Sequence, residues 1–252
     1  MLVKTFVTLA TLALASAGPV RRAKGPGCGT QPTKPTLPVN GNGVELSPPA
    51  ENLVLKHIAL GHGIQNYTCT ANGSDIVAQA TGALAALYDA TSLYPNSGPG
   101  ALPVDAFNAL TTNAVWGTQL PLNSDGVSKF GASATSPFPN PGADLQLPNI
   151  KALPHIGVHF FDSNGVPTFK VGEDIFAGGK LEGIKAPASA DVGPEKTGAV
   201  DWLLLGDKGA SKGITTVYRV VTAGGVAHKC QTVGPSESVP YATYYWFFGP
   251  KA

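Results

Sequence analysis

The sequence predicts a mainly β fold: a sandwich or partly closed barrel of about seven or eight mostly antiparallel strands, carrying a small helical insertion. Three observations lead there. Charged residues make up only 13% of the chain, while glycine (31) and proline (22) are abundant. Roughly a quarter charged is usual for a globular domain, so few charges and many turn formers suit strands better than amphipathic helices. Extended runs also recur in pairs around polar turns, as in "HIGVHFF", "DSNG", "VPTFKVG" and in "GAVDWLLLG", "DKGASK", "GITTVYRVVTAGG". Finally, "VPYATYYWFFG" is apolar at odd and even positions alike, the mark of a strand covered on both faces.

Taken in order, residues 1–17 ("MLVKTFVTLATLALASA") combine Lys4, an apolar run and Ala15-Ser16-Ala17, the pattern of a secretory signal peptide and its cleavage site. Neither this run nor any later one reaches the ~18–20 apolar residues of a membrane span. A secreted, extracellular protein is expected. Residues 18–50 form a Pro/Gly-rich tail with a candidate dibasic processing site at Arg21-Arg22. Order is expected to begin near Asn52, and residues 51–250 read as one β-rich domain.

Within that domain, "NLVLKHIAL", "GHG" and "IQNYTCT" read as a hairpin. Strand alternation puts Ile64, Asn66 and Thr68 on one face and Gln65, Tyr67 and Cys69 on the other. Asn66 and Asn72 both occupy Asn-x-Ser/Thr acceptors for glycosylation. A glycan at Asn66 needs solvent, which turns Tyr67 and Cys69 inward; Asn72 lies in the turn "ANGS". From Ser74, a plausible N-cap, Ile76, Val77, Ala80, Ala83, Leu84, Leu87 and Tyr88 recur at helical spacing. That predicts a helix over 74–90, a weaker one over Val104–Trp116, and a helical and loop insertion spanning 74–154. Pro167 should place its strand at an edge or delay its start, and Gly224-Gly225 suggests a bulge or tight corner.

The cysteines are Cys28, Cys69 and Cys230. Export favours a disulfide, and Cys69–Cys230 is the expected pair because Cys28 lies in the tail; spacing alone does not fix connectivity. Such a bond would contribute about 4–5 kcal/mol by constraining the unfolded chain. Three of the 17 basic residues lie in the first 22, leaving 14 against 16 acids. With no basic stripe, nucleic acid is not an expected partner, and no basic amphipathic helix points to a membrane.

The segments "GIQNYTC", "GVHFFDSNGVPTF", "GAVDWLLLG", "VYRVVTAGG", Cys230 and "VPYATYYWFF" occur in this order. In these the chain resembles, over roughly residues 50–250, a family of secreted fungal proteins with bacterial relatives grouped as a domain of unknown function. Its members often carry an automatic malate dehydrogenase label. The resemblance implies no catalytic residue set. The residues speak against the label: the nearest match to G-x-G-x-x-G, "GNGVEL" (41–46), lacks the third glycine and lies in the Pro-rich tail, with no βαβ rhythm after it.

Candidate chemistry is sparse. His57 and His62 form one histidine cluster, His155 and His159 another. On a strand His155 and His159 stand ~13 Å apart, too far to share an ion, which leaves one histidine from each cluster to converge, for example His62 with His159. Arg219 is the only arginine after residue 22 and shares a strand face with Val217 and Val221. It needs a carboxylate or carbonyls: Asp201 on the preceding strand, or an anion at a ligand pocket. Trp202 and Tyr218 on the same hairpin are either core or a stacking wall for a sugar or small aromatic. There is no G-x-S-x-G, H-E-x-x-H, P-loop or C-x-x-C. The expectation is a monomeric, non-catalytic extracellular or cell-wall-associated domain binding a cell-wall or host glycan or small ligand, with no cofactor and no metal. The alternative is an extracellular hydrolytic or metal-assisted enzyme.

Overall fold

A computed structural model describes residues 34–251. The segment 1–17, Arg21-Arg22 and Cys28 lie outside the described residues. Eight strands follow one another: β1 (Leu53–Asn72), β2 (Asp75–Asp89), β3 (His155–Phe161), β4 (Pro167–Val171), β5 (Asp174–Ile184), β6 (Trp202–Asp207), β7 (Thr216–Gly224) and β8 (Ser236–Pro250). Each pairs antiparallel with its neighbour in sequence, and β8 returns to pair with β1, closing the sheet as a barrel. The named strands contain no parallel βαβ unit, the framework a dinucleotide site requires. Among the described residues no helix is long and apolar enough to cross a membrane.

Alternation along each strand creates two cores. The inner one fills the barrel with Ala59, Leu87, Phe169, Phe176, Val217, Tyr245 and Phe247. The outer one coats one side of the wall with Ile58, Leu60, Tyr88, Trp202, Tyr218, Tyr244 and Trp246. A lid of two short helices, α1 (Val104–Asn108) and α2 (Leu110–Gly117), seals it with Phe107, Leu110, Ala114 and Val115. β8 is apolar on both faces because one faces the barrel lumen and the other faces this lid; Val239–Phe248 are buried throughout.

Three sequence readings change, and one strand, β5, was covered by none. "GHG" is not a turn: β1 runs through it unbroken. A Cβ on Gly61 would lie 2.5 Å from the Tyr245 ring, and one on Gly63 would strike the Leu84 carbonyl. These glycines serve close approach, not reversal. Residues 75–89 are the strand β2 and not a helix, so the insertion begins at Ala90. Covered on both faces from Gly82 to Tyr88, β2 loses strand alternation there and its apolar positions mimic a helical period; pairing with β1 from Ala59↔Asp89 to Asn72↔Asp75 decides the outcome. β5 carries Gly178, Gly179 and Gly183 and showed no strand signal. Lastly, order begins well before Asn52. Residues 34–50 form a strap whose Leu37 and Leu46 pack on the outer core, while Tyr218 donates to the Ser47 carbonyl at 2.8 Å and Glu182 accepts from the Ser47 amide at 2.9 Å.

Other expectations hold. β4 starts at Pro167; Gly224 and Gly225 have φ of 68° and 96°, but the bulge itself lies just before them, between Val220 and Ala223. Cys69 and Cys230 are bonded, their Cα atoms 5.6 Å apart, tying the β7–β8 loop to the end of β1.

Candidate functional site

The histidine pair does not converge. His62 pairs with Ala86 and faces outward beneath α2, its Nδ1 3.2 Å from the Thr118 hydroxyl. His159 pairs with Ala85 and Phe169 and faces the lumen. The sheet therefore stands between them. His159 stacks on Phe169 with ring centroids 3.9 Å apart, and its Nδ1–H donates to the Thr168 carbonyl at 2.9 Å. Burial lowers its pKa to about 3 and that of His62 to about 4, so both rings are neutral at pH 7. Among the described residues no group of three His, Cys, Asp or Glu stands ready for a metal ion.

Arg219 also faces the lumen, paired with Tyr245. Its Nε and Nη2 donate to the Asp201 backbone carbonyl at 3.1 and 2.9 Å, while the Asp201 carboxylate pairs with Lys185 at 3.1 Å. The partner is thus the expected residue through a different atom. Around it, the Tyr241 and Tyr245 hydroxyls bond at 2.9 Å, and Tyr67 donates to the Gly225 carbonyl at 2.7 Å.

Trp202 and Tyr218 lie on the opposite, outer side of the wall. Tyr218 is pinned under the strap, its pKa pushed up to about 12 chiefly by burial. Trp202 forms part of a cleft between the wall, the helical lid and the strap. The cleft has two arms sharing Pro38, Val39, Asn108 and Val221. The aromatic arm, about 370 Å3, is walled by Tyr94, Phe107, Tyr244 and Trp246. Phe107 stacks on Tyr244 at 4.6 Å, nearly parallel, and Tyr94 meets Phe107 and Trp246 edge-on, each at 5.6 Å. Tyr244 donates to the Phe107 carbonyl at 2.6 Å, locking the set. The polar arm, about 310 Å3, is lined by Asn40, Thr111, Ser189, Asp191, Trp202 and Thr222, among others.

Three residues of these walls each hold a polar atom that has no protein partner and is itself sealed from solvent: Asn40 Oδ1, Trp202 Nε1 and Trp246 Nε1. Asn40 is otherwise held, its Nδ2 donating to the Lys185 carbonyl at 2.9 Å and its backbone amide to Glu45 at 2.8 Å. Leaving such a group unsatisfied costs ~1–3 kcal/mol. Among the described residues neither arm is lined by Lys, Arg or His, and Asp191 is the one carboxylate. Asp191 Oδ1 accepts from Gly193 N and Trp116 Nε1, both at 2.8 Å.

Val221 divides the arms, at φ 51°. The β7–β8 register shifts between Val220 and Ala223, and the bulge turns Val221 away from Arg219 and Val217, the residues whose face it was expected to share, toward the cleft. Val39 on the strap (77% exposed) and Val104 on α1 (56%) stand at the rim. Of these residues only Trp202 is visible as a candidate in the sequence. Asn40, Tyr94, Phe107, Asp191, Val221, Tyr244 and Trp246 come from separated segments with no motif spacing; the density of aromatics in "YATYYWFF" is the one signal that points here.

The fold and site together define a closed antiparallel barrel with an external two-armed cleft roofed by a strap and a helical lid. The family model described as Protein of unknown function (DUF3455) matches residues 49–249, and the chain belongs to that family. Comparison with curated proteins and with solved structures finds no match.

Proposed function

We propose that the protein is a secreted, monomeric, non-catalytic binding protein whose outer cleft takes a neutral carbohydrate of a cell wall or host surface. The observation that carries this reading is an aromatic-walled cleft with no cation among its described lining residues, three of which, Asn40, Trp202 and Trp246, keep a buried polar atom without a protein partner. A sugar hydroxyl both accepts and donates, so where a small shift of the strap or lid uncovers these buried atoms it can accept a hydrogen bond from an indole N–H and donate one to Asn40 Oδ1. The apolar face of the same sugar ring suits the half-buried ring of Tyr94. Among the described residues a phosphate or carboxylate ligand would meet no positive charge and one carboxylate. Glycoside hydrolysis typically needs two carboxyl groups ~5–10 Å apart; the described lining supplies Asp191 alone, which favours binding over the enzymatic alternative.

Calorimetric titration against a panel of neutral oligosaccharides tests this. Trp246→Phe keeps a ring and removes the N–H; it is expected to weaken binding of the responding sugar about 5–10-fold, the worth of one hydrogen bond. An unchanged affinity, or a panel without a binder at millimolar concentration, contradicts the reading.

A further inference from the structure

We propose that Asn66 carries an N-linked glycan whose first sugars lie in a groove on the barrel's outer face, which shares no lining residue with the ligand cleft. This rests on the reading that the chain passes through a glycosylating secretory route. Asn66 belongs to the sequon Asn66-Tyr67-Thr68 and points outward from β1, as strand alternation from the outward-facing His62 requires. It is half-buried, and the Ser238 hydroxyl donates to its Oδ1 at 2.8 Å. Ser238 is its partner on β8. With the amide oxygen held on that side, the planar amide directs Nδ2 away from Ser238, toward β2.

There the structure leaves room. Asn66 pairs with Gly82 on β2, and the register shifts at this point. Gly82 has no side chain, and the Phe161 ring stands 3.5 Å from where its Cβ would be. A groove of about 540 Å3 opens from Asn66, lined by Leu84, Phe138, Phe160, Phe161 and Lys170 among others. Lys170 Nζ lies 5.4 Å over the Phe160 ring. The lining thus joins aromatic rings, on which the C–H face of an N-acetylhexosamine packs, to an ammonium that bonds its hydroxyls or acetamido carbonyl. The groove is the right size for a short saccharide, and Asn66 would tether that saccharide at its edge. Asn72, by contrast, is exposed beside the Gly73 turn, outside the groove. In the attachment step Asn66 Nδ2 bonds the anomeric carbon of an oligosaccharide on a lipid pyrophosphate carrier. The lipid pyrophosphate leaves and one amide proton is released.

The test expresses the full chain in a glycosylating eukaryotic host, once with its own N-terminus and once behind the host's leader. Asn66→Gln and Asn72→Gln variants isolate each site. Intact mass should show one glycan lost in each variant. In the native protein an amidase that removes N-glycans should release the Asn66 glycan at least tenfold more slowly than the Asn72 glycan, and equally fast after reduction and unfolding. Phe160→Ala and, independently, Lys170→Ala should speed native release at Asn66 while leaving occupancy unchanged. Asn66 unmodified in chains that carry a glycan on Asn72, or equal native release at both sites, overturns the proposal. Failure confined to the chain with its own N-terminus overturns the secretion reading and leaves the groove assignment standing.

Discussion

At the scale of single residues, Val221 is the one β-branched residue at positive φ among the described residues. A β-branched residue in the left-handed region is a genuine outlier, and holding it there costs of order 1–3 kcal/mol. The flanking bonds from Thr222 Oγ1 to the Val200 carbonyl (2.6 Å) and from Thr243 Oγ1 to the Val220 carbonyl (2.8 Å) hold the bulge in place. Val221→Gly relieves the strain while losing a half-buried side chain. Its unfolding free energy should stay within about 1 kcal/mol of the parent, and its sugar affinity should fall. Val220→Gly, at a site 1% exposed, should cost about 3 kcal/mol. Urea unfolding of the two variants checks this; equal losses would mean that Val221 is not strained. His159 makes a second prediction. Its folded pKa of about 3 lies below the unfolded value of ~6.5, so between the two the unfolded chain binds a proton that the folded chain does not. Stability is therefore full above pH 6.5 and lost as the pH falls toward 3, by about 1.4 kcal/mol per pH unit for one such histidine. His62 and His155, lowered for the same reason, add to the slope. In denaturant midpoints measured from pH 7 to pH 5, His159→Gln should flatten the slope by about that amount; parallel slopes would refute the buried neutral ring.

At the scale of elements, legibility followed how many faces a strand buries and what lies across from it. β8 could be read directly because a long run apolar on both faces has few alternatives. β3 with β4 and β6 with β7 could be read because polar turns separate extended runs. β2 could not: with Ala85 and Leu87 in the lumen and Ala86 and Tyr88 under the lid, its alanine-rich sequence satisfies a helical period while its backbone serves a ladder. β1 failed for the converse reason, since a glycine pair reads as a turn unless the facing Tyr245 and Leu84 are known. Gly63→Ala, whose Cβ would meet the Leu84 backbone, should destabilise by about 2–3 kcal/mol. Gly117→Ala, at the end of α2 with nothing within 4 Å of a Cβ, should be neutral or stabilising by up to ~1 kcal/mol. Thermal melts separate the two; a tolerated Gly63→Ala would mean that the β1–β2 approach is looser than described.

At the scale of the whole molecule, the mainly β class, the near count of strands and the Cys69–Cys230 bond were all legible, whereas the cleft was not. Closure turns one face of every strand into lumen. That sends His159 and Arg219 inward, away from Trp202 and Tyr218, although sequence neighbours suggest a single site. The cleft itself is assembled from the strap at 36–40, the lid at Tyr94 and Phe107, the loop carrying Asp191, and β6, β7 and β8. Such a site leaves no spacing pattern for a linear reading to find. In the proposed function a neutral sugar binds beside Trp202 and Trp246 of the outer wall. The chain has three tryptophans, hence three indole N–H signals in a nitrogen-15 correlation spectrum. Titration with the neutral oligosaccharide that binds should shift the Trp202 and Trp246 signals in a saturable way at a common affinity, while an anionic sugar of the same size shifts neither. Binding that leaves both signals in place, or that favours the anionic sugar, would contradict the account.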